Sequence, residues 1–153
     1  MTHHYRPSTF QDCRDMAPNL REQDVNEIMA SSGSQPFEAL WASFDASEEC
    51  FTIIHEDGDI AGMFGVSYNG HFASPWLLGT DKLTETKRVM LPVAAKWVEE
   101  KVDQYSLLLN YVDVDNTVSR KWLKSLGFKF IKLIDDYGVG KKPFYQFVRI
   151  KDV

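Results

Sequence analysis

The sequence predicts one α/β domain of the α+β type, and three observations carry that reading. The hydrophobic period changes from about 3.6 residues to 2 near Cys50. A long helical segment then separates two groups of strand-like runs, and no repeat, low-complexity tract or linker breaks the order. With 153 residues and 44% hydrophobic content, the chain can bury one sizeable core and is short for two domains, so residues 1–153 are expected to form a single unit.

His4 to Pro7 reads as a short first strand, closed by Pro7, with Ser8 and Thr9 available to cap the next element. Phe10 to Asn19 is helical up to a break at Pro18. Glu22 to Ala30 sets Val25, Ile28 and Met29 at helical spacing and stops at Ser31-Ser32-Gly33. A third helix, Pro36 to Ser43, begins with proline in a tolerated first-turn position and is expected to bury Phe37, Leu40 and Trp41.

The period then shortens. Cys50 to His55 and Ile60 to Tyr68 read as a hairpin around the acidic turn Glu56 to Asp59, and Ser74 to Gly79 as a third strand. Thr80 to Lys82 leads into a long helix ending near Tyr105, in which Pro92 marks a kink or the true start. Leu107 to Val114, apolar on both faces, has the pattern of a central buried strand. The helix Thr117 to Leu126 stops at Gly127, and Phe128 to Ile134 and Pro143 to Ile150 close the chain around a loop, Asp135 to Lys142.

Charge excludes some functions. A net charge of -5 and a pI near 5.3 leave no basic stripe for a phosphate backbone, so nucleic acid is not an expected partner. No apolar run reaches the roughly 18 to 20 residues of a membrane span, and Met1 to Thr9 has no signal-peptide pattern, so the expected setting is the cytoplasm. Cys13 and Cys50 lack metal-ligand or redox spacing and read as two reduced thiols. The four histidines have no spaced carboxylate or cysteine partner, so no metal site is expected, and no Gly-x-Ser-x-Gly, phosphate-binding loop or dinucleotide fingerprint occurs.

Two stretches carry a family resemblance. One is Tyr5-Arg6-Pro7-Ser8-Thr9 with Asp12; the other runs Val112-Asp113-Val114-Asp115-Asn116-Thr117-Val118-Ser119, then Trp122-Leu123 and Leu126-Gly127-Phe128. With the element order, they resemble the GNAT (Gcn5-related N-acetyltransferase) superfamily, whose fold is a mixed, mostly antiparallel sheet flanked by helices. The chain is more specifically similar to small GNAT-like proteins of short-tailed bacteriophages, including small internal virion proteins. Ala39-Leu40-Trp41, Met63-Phe64-Gly65-Val66, Pro75 to Asp81, Asn110-Tyr111-Val112-Asp113, Trp122 to Phe128 and Pro143-Phe144-Tyr145 carry that likeness.

The resemblance implies acetyl-CoA as cofactor. Its pantetheine would lie on free amides of the strand ending at Leu78 and Gly79, which should part from the strand Leu107 to Val114 at its C-terminal end. Its phosphates would lie at the turn opening the long helix, where the family has glycines and this chain has Thr84, Thr86, Lys87 and Arg88. Asn116 matches the family's asparagine after the fifth strand. The family's proton-donating tyrosine is replaced by Leu123, which leaves Tyr111, Tyr137 or Tyr145 as substitutes, and Asp81 and Asp113 are the best-placed carboxylates for a base. Two functions remain open: an acyl-CoA-dependent N-acetyltransferase acting on an amine, or a non-catalytic module binding a host or virion protein.

Overall fold

The computed structural model describes residues 2–152. Among them, seven strands and five α-helices run in the order β1 (His4–Pro7), α1 (Phe10–Met16), α2 (Glu22–Ser31), α3 (Pro36–Ala46), β2 (Ser47–Ile54), β3 (Ile60–Tyr68), β4 (Ala73–Gly79), α4 (Lys87–Tyr105), β5 (Leu107–Asp113), α5 (Thr117–Ser125), β6 (Lys129–Tyr137) and β7 (Lys142–Ile150). Short 3₁₀ turns lie at Ala17–Asn19, which contains Pro18, and at Leu83–Thr86. All seven strands form one sheet in the order β1-β2-β3-β4-β5-β7-β6, antiparallel except at the β4–β5 step. The chain is one α+β domain with a mixed, mostly antiparallel sheet, as the sequence predicts.

Local chemistry sets the boundaries. Thr9 caps α1 in a reciprocal box with Asp12, whose carboxylate also accepts two bonds from Arg6 and one from the Thr52 hydroxyl, tying β1, α1 and β2 together. Gly127 comes after α5 with φ +84°, the left-handed conformation expected of it there.

The sheet buries both faces. On one, α1, α2 and α3 cover Met63 and Leu78 with Cys13, Met16, Ile28 and Leu40. On the other, α4 and α5 bring Met90, Val98, Val102 and Trp122 onto Phe64, Val66, Leu108 and Val112. Trp122 and Phe128 are buried, and Trp97 and Leu126 are half-buried against the same cores. Cys13 and Cys50 are both free thiols.

Four sequence expectations need correction. Of Phe37, Leu40 and Trp41 only Leu40 is buried, because Phe37 and Trp41, one turn apart, share the outward stripe of α3, where Phe37 meets Phe10 edge-on at 5.9 Å. Strand β2 starts three residues before Cys50, since Ser47 and Glu49 pair with Ser67 and Val66 across a bulge and Glu49 holds Lys101 and the Trp97 indole. The segment Asp135 to Lys142 is mostly hairpin: a register shift between Ile134 and Tyr137 absorbs the two aspartates, and Tyr137 packs on Phe144 at 4.5 Å. Helix α4 passes through Pro92 without a break and starts at Lys87, before it.

Trp122, 2% exposed, sits where α5 meets the sheet. Trp122→Ala should lower stability by about 3 to 5 kcal/mol in urea unfolding; a loss below about 1 kcal/mol would show that the surroundings collapse onto the gap or that the helix phase differs.

Candidate functional site

Strands β4 and β5 start together and then part. Their only paired residues are Ala73 and Leu108, and beyond that point the Asn110 side chain reaches across to the Pro75 carbonyl at 2.8 Å. The opposite edge of β4 is paired with β3 along its whole length. A strand that loses one neighbour leaves every second N–H and C=O pointing into the gap.

The alternation identifies which residues those are. Thr80 N donates to Ala61 of β3, so Thr80 and Leu78 face β3, whereas Pro75, Leu77 and Gly79 face the gap. Leu77, rather than Leu78, therefore offers the open backbone group, and among the described residues its N–H and C=O have no partner across the gap. Gly79 is spoken for: its N–H donates to the Asp24 carboxylate at 2.8 Å and its C=O accepts from Arg21 N at 2.9 Å. Its lack of a side chain has a local cause, because a Cβ there would lie 2.6 Å from the Leu83 side chain.

A buried polar network closes that end of the gap. The Arg21 guanidinium holds Asp24 at 2.7 Å and reaches Asn116 Oδ1 and the Ser119 hydroxyl. Asn116, the N-cap of α5, accepts from Ser119 N and donates to Asp24 and to Glu27. Arg21, Asp24, Asn116 and Ser119 are all buried, so each group needs the others to avoid an unpaired charge or amide.

Behind this closure a cavity of about 390 Å³ threads the gap from the α2–α3 side of the sheet to the α4–α5 side. It is lined mainly by apolar side chains. Glu27 is its one charged group among the described residues. The Glu27 carboxylate accepts from Asp113 N at 2.7 Å and from Asn116 Nδ2 at 3.4 Å. Burial, with repulsion from Asp24 and Asp113, pushes its pKa up to about 7 against those hydrogen bonds. Tyr111 stacks on Tyr137 at 4.7 Å beside it, and burial with the nearby Glu27 raises the Tyr137 phenol. The Tyr111 oxygen accepts from Gln146 at 3.0 Å, which leaves its own proton free to be donated. Trp122 lines the α5 side, and its buried indole N–H has no hydrogen-bond partner among the described residues.

The structure gathers some of the residues singled out from sequence and disperses others. Tyr111 and Leu78 line the cavity, and Asn116 stands at its edge with its amide engaged. Asp113 is buried one step away, its carboxylate held by Lys142 at 3.1 Å and by Asp115 N. Asp81 is exposed in a separate depression with Asp15 and Asp59. Thr84 to Arg88 lie at the start of α4, but Thr86 is buried with its hydroxyl bonded to Leu83 O. The 3₁₀ turn there spends the Glu85 and Lys87 amides on Lys82 O and Thr84 O. Lys87 and Arg88 have no ion-pair partner among the described residues.

Glu27, Arg21, Asp24 and the Leu77 amide escape the sequence reading. One signal was present: Arg21, Asp24, Glu27 and Ile28 fall on one helical stripe, and charges on the stripe of a core isoleucine are costly unless paired.

Comparison with solved structures places this architecture. The chain resembles an N-acetyltransferase from Staphylococcus aureus Mu50 with TM-score 0.73 and 13% identity, over 98% of this chain and 99% of that one. It resembles a GNAT superfamily phosphinothricin acetyltransferase from Sinorhizobium meliloti, solved in complex with AcCoA, with TM-score 0.68 and 15% identity over 98% and 89%. It also resembles the ribosomal-protein-S18-alanine N-acetyltransferase of Escherichia coli, with TM-score 0.69 and 9% identity over 99% and 96%. No protein-family model matches the sequence, and no curated protein sequence is a significant match. The fold is the GNAT fold.

The raised Glu27 pKa has a stability consequence. The folded state holds the proton more tightly than the unfolded chain, so this contribution is fully present below the ordinary value of 4.5 and is lost as pH rises to about 7. Glu27→Gln keeps an acceptor for Asp113 N without the charge. It should be near neutral at pH 4 and stabilising by about 3 kcal/mol at pH 8 in urea unfolding; an equal effect at both would show an unshifted carboxyl.

Proposed function

We propose that this chain is an acyl-CoA-dependent N-acetyltransferase acting on an amine, with Glu27 as general base. The observation that carries the reading is the cavity through the β4–β5 gap, with one carboxyl facing it whose pKa is pushed up to about 7. The GNAT fold of its structural relatives, one of them solved with AcCoA, supports it.

The fit of acetyl-CoA divides along the gap. In the inner part, the open Leu77 N–H and C=O and the orphaned Trp122 N–H suit the amides and thioester of a pantetheine arm. At the outer part, Gly79 is engaged by α2, so the phosphates would rely on Lys87 and Arg88, with Thr84 exposed beside them. Bound acetyl-CoA supplies the acyl group as an activated thioester.

The chain's own residues then handle protons and position. Glu27, as carboxylate, takes one proton from the acceptor's ammonium and frees the nitrogen lone pair. Asn116 and the Asp113 amide fix the oxygen they bond, so the other Glu27 oxygen is left to face the cavity. The Tyr111 hydroxyl, held by Gln146, is a proton donor on the same side. Asp113 anchors Lys142 and the turn into α5, while Asp81 stays outside this reading.

One observation favours a second reading. The Arg21–Asp24–Gly79 contacts close the gap where a coenzyme would leave it, as expected of a GNAT-fold module that binds a host or virion protein and has lost the cofactor.

Calorimetric titration with acetyl-CoA separates the two. The transferase reading expects saturable binding at or below millimolar concentration, weakened about ten- to a hundredfold, or roughly 1.5 to 3 kcal/mol, by the Lys87→Ala, Arg88→Ala double variant. It also expects kcat/KM to rise with pH through about 7 in the wild type and to lose that limb in Glu27→Gln. Absence of binding at millimolar acetyl-CoA would replace it with the binding module.

A further inference from the structure

We propose that the acceptor is a small monoamine with an apolar, preferably aromatic, body, held in the half of the cavity between α2, α3 and the β6–β7 hairpin. This rests on the transferase reading for its chemistry, but the binding preference stands on the walls of the cavity alone.

Charge counts the amino groups. Glu27 is the one charged side chain facing the cavity among the described residues, and the carboxylates nearest it are engaged: Asp24 by Arg21, Asn116 and Gly79 N, Asp113 by Lys142 and Asp115 N. A second or third ammonium, as in a polyamine, would be desolvated with nothing to pair with.

The walls select the body. The stacked pair Tyr111 and Tyr137 stands beside Glu27, so an amine whose ammonium pairs with that carboxylate lays its body against aromatic ring edges. The other walls are apolar, including Ile28, Ala39 and Trp76. Two of the serines on this wall, Ser31 and Ser32, spend their hydroxyls on the Ile28 carbonyl rather than on the cavity.

Access sets the size. The tip of the β6–β7 hairpin is strapped to the end of α2 by Val139 N to Ser31 O at 3.2 Å and Gly140 N to Ala30 O at 2.8 Å. The approach is close enough that a Cβ on Gly138, φ +72°, would meet Ala30 O at 2.5 Å. An extended polypeptide has no open channel between these elements. The cavity, about 390 Å³, lies low in the usual range of roughly 300 to 1,000 Å³ and must also hold the acyl end of the donor.

The test is direct binding without coenzyme at pH 8, where Glu27 is ionised, using 2-phenylethylamine, spermidine and a short unmodified peptide as probes in calorimetry. Phenylethylamine should bind at least tenfold more tightly than the other two. Glu27→Gln should weaken it tenfold or more. Ala42→Trp, at the exposed rim of the cavity on α3, should do the same without touching the carboxyl. Equal or tighter binding of spermidine or peptide, no binding of phenylethylamine at millimolar concentration, or unchanged binding in both variants would overturn the proposal. Acetyl-CoA titrated into the same protein keeps the outcomes apart. Coenzyme binding with the wrong amine preference removes only the acceptor class, while amine preference without coenzyme binding removes the transferase and leaves the amine pocket.

Discussion

The structure turns on the parting of β4 from β5. A parallel pair that separates after one residue pair leaves backbone donors and acceptors without a ladder, and each must find another partner or remain open to a ligand. Near the start of the gap Asn110 supplies one, at its end Arg21 and Asp24 supply two, and between them Leu77 has none among the described residues. The cavity is the space that this incomplete repair leaves behind.

The repair explains why α2 carries charge on its buried stripe. Asp24 satisfies Gly79, Arg21 neutralises Asp24, and Asn116 links both to the start of α5. Glu27, one turn further along, lies against the same network but lacks a cation of its own among the described residues. Burial first, then repulsion from Asp24 and Asp113, makes it keep its proton to a higher pH than an ordinary carboxyl. One helix thus closes the wide end of the gap and sets a carboxyl into the cavity behind that closure.

The same gap carries both functional readings. Closure at Gly79 opposes a coenzyme running out toward α4, whereas the open amide, the orphaned indole N–H and the perturbed carboxyl further in are groups that ask for a ligand. At the start of α4, side-chain cations stand where a backbone cradle would need glycine. Binding there would be a matter of charge more than of close fit.

The sequence by itself determined the element order and the residues that start α1 and end α5, while the expectation of β4 beside β5 and of missing glycines at the α4 turn came through the family resemblance. Period, capping residues and turn chemistry are local and survive reading one residue at a time. It misjudged Phe37 and Trp41, whose exposure depends on which stripe of α3 meets the sheet, and it read Asp135 and Asp136 as loop because a bulge inside a hairpin has no local signature. Only the tertiary structure decided the site. Which β4 amides stay open depends on the register with β3, and the character of Glu27 depends on Asp24, Asp113 and Asn116, the last two far along the chain and brought to it by folding. A pKa is set by distance and burial, and neither is written in the order of residues.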